Sequence, residues 1–324
     1  MRAVFYHGVL DRRRKLGSLD YLFTEIQVFE AQVEELARHW RPMSLAEVHA
    51  HLSTGRPLPD RAVHVSFDDG FRNTLDAAEI LDRHRVPWTL FMVTDAIGDR
   101  YLPWYVRLAG AATASTSIRG ADGAVHDVSD QAGEWEFLHL AKVEVMAAPA
   151  ARTDDVVDAI LARPGMGHLD TNPWPFLQAK DLDELLASGV EIGSHSASHR
   201  NLARCTTEEL ELEVPGGKRR LEELLDSTVR FFSYPDGRHG ARVRRCVDAS
   251  FELAVATWTF RPALSRLAIR RLPAPTNDPD LSAVLQARSA LAGAREAARY
   301  EITPKVRERI LRVLPALAPG LSER

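Results

Sequence analysis

A chain of 324 residues with 45% hydrophobic and 27% charged residues has the composition of a folded globular protein with a sizeable core. The formal net charge of −4 provides no basic excess, which argues against nucleic acid as a partner. Cys205 and Cys246 are the only cysteines and do not indicate a disulfide framework. The opening residues lack a signal-peptide core and no apolar run reaches transmembrane length, so we expect a cytoplasmic protein.

Strand-like and helix-like segments alternate along the first hundred residues. The predicted elements are, in chain order, a strand over 1–6, a helix over 28–40, a helix begun by a capping box at 44–47, a strand ending at Phe67, a helix over 72–85 and a strand over 88–93. This alternation predicts an α/β fold with a mostly parallel sheet and helices outside it.

The alternation is interrupted between residues 98 and 175, where small and polar residues replace the apolar runs. Helix-like stretches remain at 134–146 and 153–162, so we interpret 98–175 as a folded insertion that serves as a cap or lid. Its aromatic residues either form its own core or contact a substrate. These residues, in or beside the insertion, are Trp104, Tyr105, Trp135, Trp174 and Phe176.

Regular alternation returns after the insertion. The predicted elements are a helix over 180–188, a strand over 190–192, a helix begun by 206–209, a strand over 229–233, a helix after His239, and strands over 253–256 and 267–272. We therefore predict one domain over residues 1–290, interrupted by the insertion, and a helical tail over 291–324. The tail mixes arginines with apolar residues at 305–314, and we favour packing on its own domain over contact with a membrane surface.

Polar clusters follow the predicted strands. The first contains the adjacent Asp68 and Asp69, and the second contains His195 and His199, four residues apart. Because the carboxyl ends of parallel strands gather on one face, we expect these side chains to meet. One carboxylate and two imidazoles can hold a divalent metal ion and leave coordination positions open for water and a substrate carbonyl. The other carboxylate can then take a proton from the water. Taken alone, the motifs also fit a polar turn that caps a helix and a pair of surface imidazoles.

A third cluster, residues 231–239, also follows an apolar strand. Pro235 and Gly237 predict a tight turn whose backbone N–H groups can point at a developing oxyanion. A plain strand-to-helix turn is the simpler interpretation of this segment by itself. Its place as third in a series of polar strand ends favours the functional interpretation.

These clusters resemble the motifs of the polysaccharide deacetylase family, also called the NodB-homology group or carbohydrate esterase family 4. The resemblance covers most of the chain outside the insertion. It implies a distorted (β/α) barrel of the polysaccharide deacetylase type with fewer than eight regular repeats. It also implies hydrolysis of an N-acyl group, usually acetyl, from an amino sugar. The implied cofactor is one divalent metal ion, most often Zn²⁺, with Co²⁺, Ni²⁺, Fe²⁺ and Mn²⁺ as alternatives.

The first two motifs assign roles residue by residue. The Phe-Asp-Asp-Gly segment implies that Asp68 is the catalytic base and that Asp69 is a metal ligand. The Ser-His-Ser-x-x-His segment implies that His195 and His199 are the other two metal ligands.

The later motifs assign the remaining roles. The turn at Tyr234, Pro235 and Asp236 resembles the segment that binds the oxyanion in relatives, here through the backbone N–H of Asp236. A Leu-x-Arg-like segment near the end of the domain implies that Arg271 orients the base Asp68.

The chain departs from the family pattern in two places. No histidine follows His239, so the late histidine that protonates the leaving amine in many relatives has no counterpart. His7 and His239 are the candidates for the general acid, beside water or no dedicated acid. Ser233 stands where many relatives have an arginine at the start of the third motif.

We expect a metal-dependent N-deacylase that acts on a soluble or carrier-linked N-acylated amino sugar. One alternative keeps the metal site but removes a formyl group or cleaves a non-sugar amide, because the metal contacts only the amide oxygen. A non-catalytic binding module is another alternative. The missing late histidine favours this module, whereas Asp68, Asp69, His195 and His199 argue against it.

Overall fold

The protein divides into two compact units in the computed structural model, which describes residues 1–11, 16–121, 123–168, 170–257 and 265–286. The first unit contains the described residues within Met1–Arg14, Tyr21–Tyr101 and Pro175–Glu296, and the second contains those within Lys15–Asp20 and Leu102–Trp174. The predicted tail, 291–324, lies outside the described residues. Its helix and the domain boundary before it stay predictions.

The strands and helices predicted before residue 290 have counterparts whose ends lie within a few residues, but the single strand predicted over 267–272 is divided at Arg271 into two strands with different neighbours. The strands are β1 (Arg2–Tyr6), β2 (Val9–Leu10), β3 (Thr24–Glu25), β4 (Arg41–Pro42), β5 (Ala62–Phe67), β6 (Trp88–Met92), β7 (Ser117–Arg119), β8 (Val125–Asp127), β9 (Glu191–Ser194), β10 (Phe231–Ser233), β11 (Leu253–Ala256), β12 (Ile269–Arg270) and β13 (Leu272–Pro273). The helices are α1 (Ile26–His39), α2 (Leu45–Thr54), α3 (Thr74–Arg83), α4 (Trp104–Thr113), α5 (Gln131–Ala147), α6 (Thr153–Leu161), α7 (Ala179–Ala187), α8 (Thr207–Glu211), α9 (Gly217–Leu225), α10 (Ala241–Ser250) and α11 (Ser282–Gln286). Among the residues described, no helix has the length and apolar character needed to cross a membrane.

The first unit is built on a parallel sheet in the order β12-β11-β10-β9-β6-β5-β1-β13, with β4 added beside β5. Every pairing in this sheet is parallel. Only Arg271 separates β12 from β13, yet β12 pairs with β11 and β13 pairs with β1. The chain at Arg271 therefore joins the two edges of the sheet. This confirms the predicted distorted (β/α) barrel.

The two faces of each strand have different surroundings. Tyr6 and Phe67 lie on the outer face, where their rings stack on each other and contact Phe29 of α1. The interior is apolar at the end where the strands begin, and α2 packs against that end. The members of this buried cluster are Met43, Leu45, Val48, Ala62, Phe91, Phe231, Leu253, Val255 and Ile269.

The beginning of α2 is stabilised by a capping box of its own and by a carboxylate from the sheet. Ser44 and Glu47 form the predicted capping box, in which the Ser44 hydroxyl accepts the Glu47 N–H and the Glu47 carboxylate accepts the Ser44 N–H. The carboxylate of Glu191 on β9 accepts the backbone N–H groups of Leu45 and Ala46, both at 2.8 Å. These bonds satisfy the free N–H groups of the first helical turn.

The second unit contains α4, the antiparallel pair β7 and β8, α5 and α6. Trp104 and Trp174 are buried in it, and the Trp174 indole N–H donates to the Asp20 carboxylate at 3.2 Å. Phe176 belongs to the first unit and stacks on Phe71 with ring centroids 4.8 Å apart. These three aromatic residues of the insertion region therefore form cores. The interpretation of the insertion as a cap or lid stays a prediction.

Candidate active site

The register of β1 and β5 brings two polar residues together where these strands end. Tyr6 lies opposite Phe67 in the parallel pair, and the backbone N–H of Asp68 donates to the Tyr6 carbonyl at 2.9 Å. His7 and Asp68 are the next residues of the two strands. Because alternate strand residues face the same side, both continue the inward-facing rows that contain Phe5 on β1 and the residue before Phe67 on β5.

The ends of β9 and β10 are joined in the same way. Ser194 lies opposite Phe232, so the next residues, His195 and Ser233, are neighbours. Nδ1 of His195 lies 2.8 Å from the Ser233 carbonyl oxygen, and the imidazole N–H donates to this oxygen. Such a bond directs Nε2 of the ring away from the backbone and leaves it available as a metal ligand.

Asp69, His195 and His199 form a buried cluster that fits one divalent metal ion. One ligand atom from each lies within 4.8 Å of the others. Oδ1 of Asp69 lies 3.5 Å from Nε2 of His195 and 3.6 Å from Nε2 of His199. A carboxylate with two imidazoles suits Zn²⁺ and other divalent transition metals.

A left-handed turn explains how two adjacent aspartates reach one site. Side chains at neighbouring strand positions point to opposite faces. Asp69 has a φ of +72° and Gly70 a φ of +88°, so the backbone reverses its direction immediately after Asp68. The positive φ of Gly70 is a conformation that L side chains rarely adopt, which explains the glycine at this position.

The loop that carries the two histidines is also left-handed at two residues, Ser196 (φ +66°) and His199 (φ +58°). The His199 N–H donates to the Ser196 hydroxyl at 3.1 Å. The backbone N–H groups of Thr94 and Asp95 donate to the carbonyls of Ser196 and Ala197 at 3.2 and 2.9 Å. The loop is therefore held on one side by the chain that follows β6.

Asp68 forms a buried bidentate ion pair with Arg271. Nη1 donates to Oδ1 at 2.8 Å and Nη2 donates to Oδ2 at 2.7 Å. The guanidinium also donates to the hydroxyls of Ser66 at 2.8 Å and Ser233 at 2.6 Å. Burial raises the pKa of Asp68, but the charge and hydrogen bonds of Arg271, together with the charges of His195 and His7, outweigh burial and bring this pKa to about 2. Asp68 is therefore an ionised carboxylate.

Aromatic rings enclose the Arg271 guanidinium. Its central carbon lies 4.8 Å from the centroid of the Phe5 ring and 5.3 Å from that of Phe91, within cation–π range. The sequence predictions omitted these rings and the Ser66 hydroxyl. The inward-facing alternation along β1 and β5, which places Phe5 opposite Ser66, is the signal that could have identified these two residues.

The two candidate general acids differ in their surroundings. Burial is the main cause that lowers the pKa of His195. His7 follows Tyr6, whose carbonyl accepts the Asp68 N–H, so His7 and Asp68 leave adjacent strands side by side. His239 stacks on Tyr234 with centroids 4.5 Å apart, and its Nδ1 bonds to the carbonyl of Gly237 within the same turn. Burial lowers the pKa of His239.

The third motif forms a short 3₁₀ turn over Pro235–Gly237, directly after β10. Asp236 is left-handed with a φ of +54°, and the Gly237 N–H donates to the Tyr234 carbonyl at 2.9 Å. The turn follows Ser233, whose hydroxyl contacts Arg271. The oxyanion role predicted for this turn is not tested by these contacts and stays a prediction.

Comparison with known proteins gives one family match. A family model described as polysaccharide deacetylase matches residues 55–254, which is more than half of the chain. This match contains Asp68, Asp69, His195 and His199. No curated protein sequence shows a significant match.

Several solved structures are similar in fold. The Streptococcus pyogenes deacetylase PplD, in complex with acetate, is 15% identical, with 89% of this chain and 98% of that chain covered and a TM-score of 0.56. A polysaccharide deacetylase from Bacillus cereus is 17% identical, with coverages of 88% and 68% and a TM-score of 0.53. IcaB from Ammonifex degensii is 15% identical, with coverages of 93% and 97% and a TM-score of 0.51. At these identities the similarity concerns the fold.

Proposed function

Because the chain belongs to the polysaccharide deacetylase family, we propose that it is a metal-dependent hydrolase that removes the acetyl group from an N-acetylated amino sugar. The observation that carries this proposal is the buried cluster of Asp69, His195 and His199 beside the Asp68–Arg271 ion pair. A metal-ligand set next to an ionised carboxylate is an arrangement suited to metal-assisted amide hydrolysis, with the carboxylate as the base.

Each residue has a distinct part in this proposal. Asp69, His195 and His199 hold the divalent ion, Zn²⁺ in our assignment. When bound, this ion polarises the amide carbonyl and lowers the pKa of water. Asp68 accepts the proton from the attacking water. Arg271 keeps Asp68 ionised and directs its carboxylate through two parallel hydrogen bonds.

We assign the general acid to His7. The β1–β5 register, which makes His7 and Asp68 successive residues of adjacent strands, supports this assignment over His239. In this position His7 donates a proton to the leaving amine, the part that a late histidine takes in many relatives. The backbone N–H of Asp236 is assigned to the developing oxyanion.

The experiment that tests the function measures acetate and formate release from N-acylated amino sugars, both free and polymeric. We expect acetate release that requires added Zn²⁺ or Co²⁺ and stops with a chelator. Asp68→Asn retains the metal ligands but lacks a basic carboxylate, so its rate should fall by at least about 10²-fold. Asp183→Asn, which removes an exposed carboxylate on α7, is the matched control and should retain the rate.

Each other outcome contradicts part of the proposal. Release that persists in chelator argues against metal dependence, and full activity of Asp68→Asn argues against the base. Formate in place of acetate identifies a deformylase with the same site. No release by metal-loaded protein from any of these sugars argues for a non-sugar amide or a binding module.

A further inference from the structure

Glu213 is a buried carboxylate outside the metal cluster, with 6% of its surface exposed. It lies in a single π-helical turn, Leu212–Gly216, between α8 and α9. Such turns are rare and often occur at functional sites. An acidic side chain is seldom buried unless strong hydrogen bonds compensate for its loss of water. The partners of Glu213 therefore indicate what it does.

The polar contacts of Glu213 lie on or next to the loop that carries the two histidine ligands. Its carboxylate accepts the backbone N–H of Ser198 at 3.0 Å and the hydroxyl of the same residue. Nε of Arg200 lies 3.8 Å from this carboxylate. The backbone carbonyl of Glu213 accepts the N–H of Ala197 at 2.9 Å.

The loop needs such support because its backbone is strained. Ser196 and His199 are left-handed residues other than glycine, and this conformation costs about 1–2 kcal/mol for an L-residue. It persists only when the surroundings enforce it. Ser198 directly precedes His199, so its two bonds to Glu213 restrict the backbone from which the His199 ring projects.

The start of α9 completes this support. An added Cβ at Gly217 would lie 2.9 Å from the backbone nitrogen of Ala197, so the helix and the loop are in direct contact. The Thr94 hydroxyl donates to the Gly217 carbonyl at 3.2 Å. The loop is therefore held between the segment after β6 and the π turn that presents Glu213.

We propose that Glu213 is a positioning residue that holds His199 in ligand geometry through Ser198 and thereby sets the affinity for the metal ion. This inference rests on the proposed metal-dependent function. Hydrogen-bonding groups behind metal ligands commonly change metal affinity by about 10–100-fold when they are removed.

The test measures the dissociation constant for Zn²⁺ by competition with a chromophoric chelator, together with the visible spectrum of the Co²⁺-loaded protein. Glu213→Ala should weaken Zn²⁺ binding by about 10–100-fold and change the Co²⁺ spectrum. Glu213→Gln offers an amide that can bond to both Ser198 groups and should bind within a few-fold of the wild type. The matched control is Glu211→Ala, which removes an exposed carboxylate two residues away and should bind like the wild type.

A double-mutant cycle tests the path through Ser198. Ser198→Ala removes the hydroxyl but leaves the backbone N–H, so its loss of affinity should be smaller than that of Glu213→Ala. The two losses should be less than additive when combined, because both remove the same bond. Ser198→Ala and Glu213→Gln also cover the case in which Glu213→Ala fails to fold.

The contrary outcomes are distinguishable. Wild-type protein that binds neither Zn²⁺ nor Co²⁺ overturns the proposed function itself. Wild-type binding with equal Zn²⁺ affinity in a folded Glu213→Ala protein overturns only the role of Glu213. Equal losses in Glu213→Ala and Glu213→Gln, or fully additive losses in the cycle, overturn the hydrogen-bonding path through Ser198.

Discussion

The Asp68–Arg271 ion pair is the most constrained contact of the site at the residue scale. Both side chains are buried, and Arg271 is fully enclosed, with four donated hydrogen bonds and two aromatic rings around it. Loss of one member leaves the other charge buried without compensation. The stability of the folded protein and the position of the proposed base therefore depend on the same contact.

Arg271→Met should lower the free energy of unfolding by about 3–5 kcal/mol because Asp68 loses its buried partner. Arg271→Lys keeps the charge but not the planar fork, so we expect a smaller loss of stability and a clear loss of acetate release. Urea unfolding and the release assay measure the two effects. Arg270→Met, at the adjacent half-buried position, is the control, and an equal loss there would contradict the ion-pair explanation.

His7 and His239 provide a second residue-scale prediction. His7→Gln should lower kcat by about 10²-fold with unchanged metal content, because the leaving amine loses its proton donor. His239→Gln should lower kcat by less than tenfold, since His239 bonds within its own turn. Steady-state kinetics with metal analysis distinguish the two. The reverse order of effects would assign the acid to His239.

At the scale of elements, α2 covers the end of the barrel where the strands begin. Hydrogen bonds to the Glu191 carboxylate hold the helix in this position. The Glu191 carboxylate accepts the first two N–H groups of the helix and the hydroxyl of Thr89 on β6. One side chain of β9 therefore connects the helix to two strands of the sheet. Met43, Leu45 and Val48 complete the closure by packing into the barrel.

Glu191→Ala should cost about 2–3 kcal/mol of unfolding free energy, because several donors lose a charged acceptor at once. Ser44→Ala removes only the cap of the same helix and should cost about 1 kcal/mol. Chemical denaturation of both variants measures the difference. If Ser44→Ala costs more, the cap rather than Glu191 anchors α2.

At the scale of the whole molecule, buried histidines make stability depend on pH. Burial in the barrel is the main cause that lowers the pKa of His64 to about 4, although its Nδ1 bonds to the Met43 carbonyl at 2.9 Å. The ordinary pKa of histidine is about 6.5. Between these pH values His64 binds a proton in the unfolded chain but not in the folded protein. The contribution of neutral His64 to stability is therefore complete above about pH 6.5 and is lost as the pH falls towards 4.

The unfolding free energy should therefore decrease by up to about 1.4 kcal/mol per pH unit from His64 in this interval. His64→Asn keeps a donor for the Met43 carbonyl but does not titrate. The unfolding free energy of this variant should therefore change less steeply with pH than that of the wild type. Burial also lowers the pKa of His139 to about 4, which leaves a residual slope in the variant. Urea unfolding at several pH values measures this pH dependence in both proteins. Equal pH dependence in the wild type and in His64→Asn would exclude His64 as the titrating group.

Much of the fold and part of the site could be predicted before the structure. Apolar periodicity identified the strands and helices, and the capping box at Ser44 located α2 because these signals are local. The placement of Asp68, Asp69, His195 and His199 after apolar strands was enough to predict that they meet. This prediction needs only the rule that parallel strands end on one face.

The partners around these residues could not be predicted because they depend on register and sheet order. The bonds of Arg271 to Ser66 and Ser233, and the approach of His7 to Asp68, require knowing which strands are neighbours and at what offset. Glu213 gave no signal in a helical stretch rich in acidic residues. Its burial results from the packing of the π turn on the histidine loop.

The sequence alone determined the alternation of elements, the motifs and the family resemblance, because residue type and spacing carry this information within short stretches of chain. Only the tertiary structure decided that Arg271 joins the two sheet edges, that two aromatic rings enclose it, and that Glu213 bonds to Ser198, the residue before His199. Those contacts join residues far apart in the chain. Their distances depend on strand register and on left-handed turns at Asp69 and His199, which local patterns do not encode.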